Sequence, residues 1–169
     1  MRNGGYDRAA AVQYANEWWN KANPRFHNFE VDCTNFVSQC LFAGGIAMNY
    51  TNRRDLGWWY QGYAGGRERW SYSWAVAHSL QMYLLSSQGG FRAVQVDNPT
   101  QLALGDVISY DWDGDNRFTH MTIVTAFDAA GYPLVNAHTN NSQHRFWAYR
   151  DSYAWTSRTQ YVFIHMPDA

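Results

Sequence analysis

The sequence has no strong excess of charge and no long apolar run. Its 169 residues carry 13 lysines and arginines against 14 aspartates and glutamates, for a formal net charge of -1. Such mixed charge gives no basic patch for nucleic acid or an anionic membrane. No segment approaches the roughly 18 consecutive apolar residues of a membrane span, and the N-terminus lacks the apolar core of a signal peptide. We therefore expect a soluble chain without a transmembrane segment, although it could be one domain cut from a longer secreted protein.

Cysteine is scarce, with only Cys33 and Cys40 in the chain. If the segment between them is helical, they lie about 10.5 Å apart along the helix axis, because each residue adds about 1.5 Å. A disulfide requires Cα atoms within about 7 Å. We therefore predict two free thiols, with Cys33 at the exposed end of the helix and Cys40 packed in the core.

Aliphatic residues are comparatively sparse, whereas Trp, Tyr and Phe make up 18% of the chain. This composition predicts a core that is largely aromatic. Residues 48–69 have no sustained period and are interrupted by glycines, which indicates an aromatic-rich loop. Core packing is the favoured role for its side chains. The alternative is that Trp58 and Trp59 form one rim of a substrate groove.

The periodicity of the chain changes from helical to strand-like near residue 90. Apolar spacing of three and four predicts helices over residues 9–22, 33–42 and 73–86. Short apolar or alternating runs predict strands over residues 107–110, 119–127, 132–139 and 160–166. Helices followed by strands favour an α+β fold, with N-terminal helices packed on a C-terminal antiparallel sheet. No repeat or linker divides the chain, so we treat residues 1–169 as a single domain.

Cys33 stands where the second predicted helix begins. The first N–H groups of a helix have no backbone partners, and the helix dipole is positive at that end. Both features favour thiolate over thiol, so a cysteine at this position is expected to have a pKa below the free value of about 8.5. Cys33 is therefore a candidate nucleophile.

A cysteine nucleophile needs a general base, and the base needs a group that orients it. His120 opens the strand predicted over residues 119–127. In the next predicted strand and directly after it, Asn136, His138 and Asn140 share one face because side chains alternate along a strand. The sequence thus offers His120 as the base and three polar residues as its possible orienter.

The hairpin turn decides which of these residues meets His120. A loop of residues 129–131 places His120 opposite Asn140 and diagonal to His138. The same loop shifted back by one residue places His120 directly opposite His138. A four-residue loop, 128–131, turns His138 to the other face of the sheet.

Four segments of the sequence resemble a known family. They are, in order, Asp32-Cys33-Thr34-Asn35-Phe36-Val37-Ser38-Gln39, Gly105-Asp106-Val107-Ile108, His120-Met121-Thr122-Ile123-Val124-Thr125 and Ala137-His138-Thr139-Asn140. Together they resemble the putative amidase domain of bacterial extracellular proteins. That family is more distantly similar to the NlpC-type and CHAP cysteine hydrolases, which have a papain-like fold. The similarity spans nearly the whole chain.

The resemblance implies a papain-like cysteine hydrolase with Cys33 as nucleophile, His120 as base and His138 as third member. Because CHAP domains place a carboxylate or amide near the third position, Asn140 and Asn136 are alternatives to His138. The backbone N–H of Cys33 would contribute to the oxyanion hole. NlpC-type enzymes have a tyrosine about a dozen residues before the cysteine, where this chain has a lysine, so the side-chain donor is missing.

The activity that follows is hydrolysis of an amide or peptide bond without a cofactor. The resemblance points to cell-wall peptides as substrate and to an extracellular or wall-associated location. Two other functions fit the same residues. One is a non-catalytic module that binds cell wall or glycan through its aromatic loop, and the other is acyl transfer from the same thioester to an amine.

Residues 111–116 alternate aspartate with other types and suggest a calcium loop. The required spacing fails, because Asn116 occupies the position of the glycine and Thr122 that of the final glutamate. A solvated turn between two strands is the better interpretation. We therefore predict no metal site.

Overall fold

The computed structural model describes residues 5–63 and 65–168. Four α-helices, one 3₁₀ helix and eight strands make up this part of the chain. The helices are α1 Arg8–Trp18, α2 Cys33–Ala43, α3 Tyr72–Ala75 and α4 Ala77–Leu85, with the 3₁₀ helix at Pro99–Gln101. The strands are β1 Tyr60–Gln61, β2 Arg69–Trp70, β3 Val94–Val96, β4 Val107–Asp111, β5 His120–Phe127, β6 Pro133–Ala137, β7 Ser142–Phe146 and β8 Gln160–His165. None of the helices in these ranges is long and apolar enough to cross a membrane.

Two of the predicted helices are interrupted by hydrogen bonds to other parts of the fold. The first was predicted to residue 22 but ends at Trp18, whose carbonyl accepts from the ring of His138 at 2.6 Å. The third was predicted as one helix and is split at Val76, which is extended. There the Ser38 hydroxyl donates to the carbonyl of Trp74 at 2.8 Å. In both cases a carbonyl that would continue the helix accepts a bond from elsewhere.

The main sheet has six strands in the order β3-β8-β4-β5-β6-β7, and every neighbouring pair is antiparallel. Four of its strands, β4, β5, β6 and β8, lie where the sequence predicts strands. The outer strands β3 and β7 were not predicted, because both are short and mostly exposed and show no buried alternation. The predicted aromatic loop contains β1 and ends within β2, and these two strands form a small hairpin.

A β-bulge in β5 sets the register of the hairpin that carries the candidate site. Near the turn, Phe127 lies opposite Pro133, which corresponds to the three-residue loop of 129–131. Beyond the bulge between Val124 and Ala126, Ile123 lies opposite Asn136. The bulge shifts the pairing by one residue. Between the bulge and the start of β5, the side chains of β6 therefore lie on the opposite face of the sheet from the one that the turn alone would give. The register at the start of β5 is therefore the one that the four-residue loop would give, with His138 on the other face, but the bulge produces it rather than the turn.

The sheet buries apolar residues on both faces. The face that meets the helices belongs to the larger cluster, which includes Phe36, Trp58, Trp74, Met121 and Ile123. The opposite face forms a second cluster with the residues Leu102, Ile108, Tyr110, Val124, Val135, Tyr149 and Phe163. The fold thus has α+β content with an antiparallel sheet, and aromatic rings fill a large part of both clusters.

Candidate active site

Cys33 is the first residue of α2 and lies against the start of β5. Its side chain is buried, with 2% of the residue exposed. The sulfur lies 3.8 Å from the hydroxyl of Thr34 and 3.8 Å from the carbonyl of Thr119. The predicted exposed thiol is therefore an enclosed one, because β5 covers the end of the helix. Cys40 is also free and lies in the larger core cluster, as predicted.

Burial reverses the expected direction of the Cys33 pKa. Desolvation of the thiolate raises this pKa and outweighs the groups that lower it. Those groups are the backbone N–H of Met121 and the hydroxyl and N–H of Thr34, while the charge of Asp32 raises the pKa further. The helix terminus alone therefore does not produce a resting thiolate.

His120 is the first residue of β5, and aromatic rings hold it in place. Its ring centroid lies 5.3 Å from that of Tyr110, 5.7 Å from Trp112 and 5.1 Å from Tyr149. Its Nε2 is buried and has no hydrogen-bond partner. Burial first, and the charge of Arg145 second, lower the pKa of His120 to about 3. The ring is therefore neutral at physiological pH.

Cys33 and His120 line one cavity of about 120 Å³. In the part of the chain that the structure describes, no hydrogen bond joins the side chains of Cys33 and His120. Contacts of this kind often tighten only when substrate is bound. The cavity is completed by Val31, Trp112, Thr119, Thr139, Asn140, Arg145, Tyr149, Ser152 and Ala154. A larger cavity of about 280 Å³ lies beside α4 and includes His78 and Ser79 but neither cysteine.

The structure places His138 away from His120. Its Nδ1 lies 2.5 Å from a carboxylate oxygen of Asp32, and its Nε2 lies 2.6 Å from the carbonyl oxygen of Trp18. The ring also stacks on Phe36, with centroids 4.1 Å apart. Neither ring nitrogen is left for the predicted bond to His120. The cause is the bulge in β5, which turns His138 to the face where α1 and α2 lie.

The two asparagines considered for the third position have different surroundings. Asn140 lines the cavity with Cys33 and His120. Asn136 is fully buried outside the cavity and stabilises the bulge, because its side-chain oxygen accepts from the Thr125 hydroxyl at 2.7 Å. Of the predicted alternatives for the third position, the structure brings only Asn140 into the cavity.

Two further residues of the site were not identified from the sequence. Arg145 lies on β7 and Tyr149 follows that strand, and both line the cavity. The guanidinium carbon of Arg145 lies 3.8 Å from the centre of the Tyr149 ring. The Nε of Arg145 and the hydroxyl of Tyr149 are buried and make no hydrogen bond of good geometry. Ser142 and Arg145 still lie close enough to the Tyr149 hydroxyl to oppose the rise in its pKa that burial causes. No motif marks residues 142–149, so only the folded chain connects them with Cys33.

Trp58 and Trp59 do not form a substrate groove, which corrects that interpretation. They are 1% and 0% exposed, respectively. The indole N–H of Trp58 donates to the Ser38 hydroxyl at 3.0 Å, and that of Trp59 donates to the Arg53 carbonyl at 3.0 Å. Both rings are therefore part of the core, where their apolar surface is buried and their indole N–H groups have hydrogen-bond partners.

The aspartate-rich segment after β4 is a turn closed by its own backbone. The carboxylate of Asp111 accepts from the N–H groups of Gly114, Asp115 and Asn116 at 3.0, 3.3 and 2.7 Å. Its oxygens are thus used within the loop. Across residues 5–63 and 65–168, no group of three or more His, Cys, Asp or Glu is arranged to hold a metal ion.

Comparisons with known proteins place the chain in a family. Residues 5–164 match the family described as "Putative amidase domain". The chain is 52% identical to the uncharacterized protein YhbB of Bacillus subtilis (strain 168) over 163 residues, which are 96% of this chain and 51% of YhbB. It is 30% identical to the uncharacterized protein YjcM of the same organism over 130 residues, 72% of this chain and 28% of YjcM. The chain therefore spans about half or less of these relatives. No solved structure matches it.

Proposed function

We propose that this chain, which belongs to the putative amidase domain family, is a cysteine-dependent amidase with Cys33 as nucleophile and His120 as base. One observation carries the proposal: the thiol and the unpartnered imidazole line the same cavity. A nucleophile and a base in one enclosed site are the minimum that acyl transfer through cysteine requires.

The protonation states argue against a preformed pair of thiolate and imidazolium. Burial raises the pKa of Cys33, and burial with Arg145 lowers the pKa of His120 to about 3. At neutral pH the resting pair is consequently a thiol and a neutral imidazole. We propose that His120 accepts the thiol proton as the sulfur attacks, so that the thiolate forms only in the presence of substrate.

The reaction then follows two acyl transfers. The Cys33 sulfur adds to the amide carbonyl, and the protonated His120 gives its proton to the leaving amine as the C–N bond breaks. This leaves a thioester on Cys33. His120 next takes a proton from water, whose oxygen attacks the thioester carbonyl, and returns a proton to the sulfur as the carboxylic acid leaves.

The oxyanion that forms in each step needs hydrogen-bond donors. The Cys33 N–H at the first position of α2 has no partner within the helix and benefits from the positive end of the helix dipole. The Tyr149 hydroxyl is our candidate for the second donor, because Tyr149 lines the same cavity and its buried hydroxyl makes no hydrogen bond of good geometry within the protein. It would supply the side-chain donor that the sequence comparison left missing.

We assign His138 a positioning role rather than the third catalytic position. Its ring joins Asp32, the residue before Cys33, to the end of α1. The Asp32 N–H in turn donates to the Thr139 hydroxyl at 3.1 Å. These bonds hold the helix terminus that carries the nucleophile. The orientation of His120 then depends on the surrounding aromatic rings, with Asn140 as the one predicted alternative that lines the same cavity.

For the fold and setting, we propose a papain-like hydrolase that acts on cell-wall peptides outside the cell. The order of a cysteine-bearing helix followed by a histidine-bearing antiparallel strand supports the fold. The resemblance to bacterial extracellular amidase domains supports the substrate and the location. The alternative of a glycan-binding module loses two of its proposed contacts, because Trp58 and Trp59 are buried.

Digestion of purified Bacillus subtilis peptidoglycan tests the proposal. We expect new amino groups in the digest, detected by dinitrophenylation and mass spectrometry, with the unmodified chain and with Cys40→Ser but not with Cys33→Ser. An added amine such as glycinamide distinguishes acyl transfer, which would give the glycinamide adduct as the main product. Sedimentation of Cys33→Ser with the wall, combined with no hydrolysis by the unmodified chain, would instead support a binding module.

A further inference from the structure

The guanidinium of Arg145 is only partly satisfied by the protein. One terminal nitrogen donates to the Ser142 hydroxyl at a long 3.3 Å, and the other lies 3.1 Å from a carboxylate oxygen of Asp151. The Asp151 side chain is 74% exposed, so water competes for this ion pair and weakens it. The Nε is buried and has no partner. Leaving such a donor unpaired is costly, which suggests that a ligand completes it.

Arg145 is also the only lysine, arginine, aspartate or glutamate among the described residues that line the cavity of Cys33 and His120. Its charge reaches the base, since it is the second cause, after burial, of the lowered His120 pKa. The ring of Tyr149 lies directly against the guanidinium and restricts its position. The cavity therefore presents one fixed positive group and no negative one.

The cavity does not end at Arg145. The same side chain lines an adjoining open groove with Asn140, Asn141, Ser142, Gln143 and Asp151. Arg145 thus stands where the enclosed site meets a polar surface channel. A substrate that reaches Cys33 through this groove would pass the guanidinium next to its reacting carbonyl.

We propose that Arg145 binds a free carboxylate of the substrate, so that the site selects amides with a carboxylate close to the scissile bond. This inference rests on the proposed amidase function and names its substrate class. A guanidinium matches a carboxylate through two parallel N–H donors, which here would include the unpartnered Nε. A phosphate is a poorer fit, because no second basic residue lines the cavity to balance its additional charge.

Selectivity follows from the cost of burying an unpaired charge. An amide without the carboxylate would close the cavity over Arg145 and leave its Nε without a partner. Sites built to pair a polar group reject analogues that lack it far more strongly than apolar pockets reject analogues by size. A bound carboxylate would also offset the positive charge near His120 and make proton transfer from Cys33 easier.

Matched alkylating reagents test this without a known substrate. Iodoacetate and 3-iodopropionate carry a carboxylate, and iodoacetamide and 3-iodopropionamide are their neutral counterparts. For each pair, the measured quantity is the rate of alkylation by the acid divided by the rate with the amide. We expect this ratio to be about tenfold higher at Cys33 than at a free thiol such as glutathione for at least one pair, as an Arg–carboxylate bond would give. Arg145→Gln should abolish this preference and Arg145→Lys should reduce it. Arg150→Gln, a control in the loop after β7, should keep it. Equal preferences in the unmodified chain and in Arg145→Gln would overturn the proposal.

A second measurement needs neither alkylation nor a folded Arg145→Gln variant. Nitrogen NMR of the unmodified chain follows the Arg145 Nε–H, assigned by its absence from the spectrum of Arg145→Lys. Propionate should shift this signal in a saturable way and propionamide should not. No shift at saturating propionate would contradict the proposal, whereas failure of the proposed amidase function would appear separately, as absence of Cys33-dependent cleavage of peptidoglycan.

Discussion

The two histidines of the β5–β6 hairpin differ in how many of their ring nitrogens have a hydrogen-bond partner in the protein. His138 uses both ring nitrogens, on Asp32 and on the carbonyl of Trp18, and stacks on Phe36. His120 is equally buried, yet its Nε2 has no partner and its neighbours are aromatic rings. A saturated histidine fixes structure, because any proton it moved would break bonds that hold the fold. An unsatisfied one is free to exchange a proton with substrate.

The same comparison separates the two cysteines of α2. Cys40 is enclosed by the core cluster, and burial raises its pKa well above the ordinary value. Cys33 is almost as buried, but its side chain lines the cavity. Exposed area alone does not distinguish the candidate nucleophile from the packing residue. What distinguishes them is whether the buried atom meets a cavity and a base.

The largest effect is expected from His120→Gln, which removes the base and retains a similar volume. We predict that turnover of 4-nitrophenyl acetate at Cys33 falls by about 10³-fold, within the range of general acid–base catalysis. The assay follows nitrophenolate release after the first turnover, when the thioester must be hydrolysed. His144→Asn, on the surface of β7, is the matched control. Retained turnover in His120→Gln would remove the distinction between the two histidines.

The next effect is on stability and concerns His138. We predict that His138→Leu lowers the free energy of unfolding by about 3 kcal/mol, because it leaves the buried Asp32 carboxylate and the Trp18 carbonyl without this partner. Urea denaturation measures the change. His144→Asn should stay within about 0.5 kcal/mol of the unmodified chain. A stable His138→Leu protein with no activity would instead return His138 to a catalytic role.

A third prediction uses the pH dependence of stability. The pKa of His120 is about 3 in the folded chain and about 6.5 when unfolded. Between these values the unfolded chain binds a proton that the folded chain does not, so stability falls as the pH falls from about 6.5 towards 3. We expect this residue to lower the free energy of unfolding by up to about 1.4 kcal/mol for each unit that the pH falls.

His120→Gln isolates that contribution from those of the carboxylates. Urea denaturation at pH values from about 7 to about 5 should show a shallower loss of stability in His120→Gln than in the unmodified chain. His138→Leu is compared in the same series to show that the effect belongs to His120. Parallel pH dependences in the unmodified chain and His120→Gln would mean that the His120 pKa is not lowered by folding.

The smallest effect concerns the ring that stacks on His138. Phe36→Leu should lower the free energy of unfolding by about 1 kcal/mol more than the lost apolar area accounts for, because an aromatic pair typically contributes that amount. Urea denaturation of Phe36→Leu and of the double variant with His138→Leu measures this coupling. Strictly additive losses would show that the stack contributes nothing to holding His138.

Sequence reasoning located most of the elements around the site because their signals are local. The apolar period of α2 and the position of Cys33 at its start needed only neighbouring residues. The same holds for β5 with His120 at its first position. Their enclosure in one cavity could not be read from these patterns. That enclosure is determined by strand register and burial, and both depend on residues far apart in the chain.

The third-member prediction depended on a single backbone irregularity. The turn of residues 129–131 was among the alternatives considered, but the bulge between Val124 and Ala126 reversed the alternation that the parity argument assumed. The Thr125 hydroxyl bonded to Asn136 supports this bulge, and that bond exists only once the strands have paired. Arg145 and Tyr149 were missed for a similar reason, since their relation to Cys33 arises only when β7 joins the sheet.

The central claim is that Cys33 carries the acyl group, and trapping that group tests it most directly. The protein is mixed with 4-nitrophenyl acetate, quenched in acid within the first turnover, and analysed by intact mass and peptide mapping. We predict one acetyl group on Cys33, absent in Cys33→Ser, retained in Cys40→Ser and longer-lived in His120→Gln. Acetylation elsewhere, or none at Cys33 under conditions where glutathione is acetylated, would contradict the account.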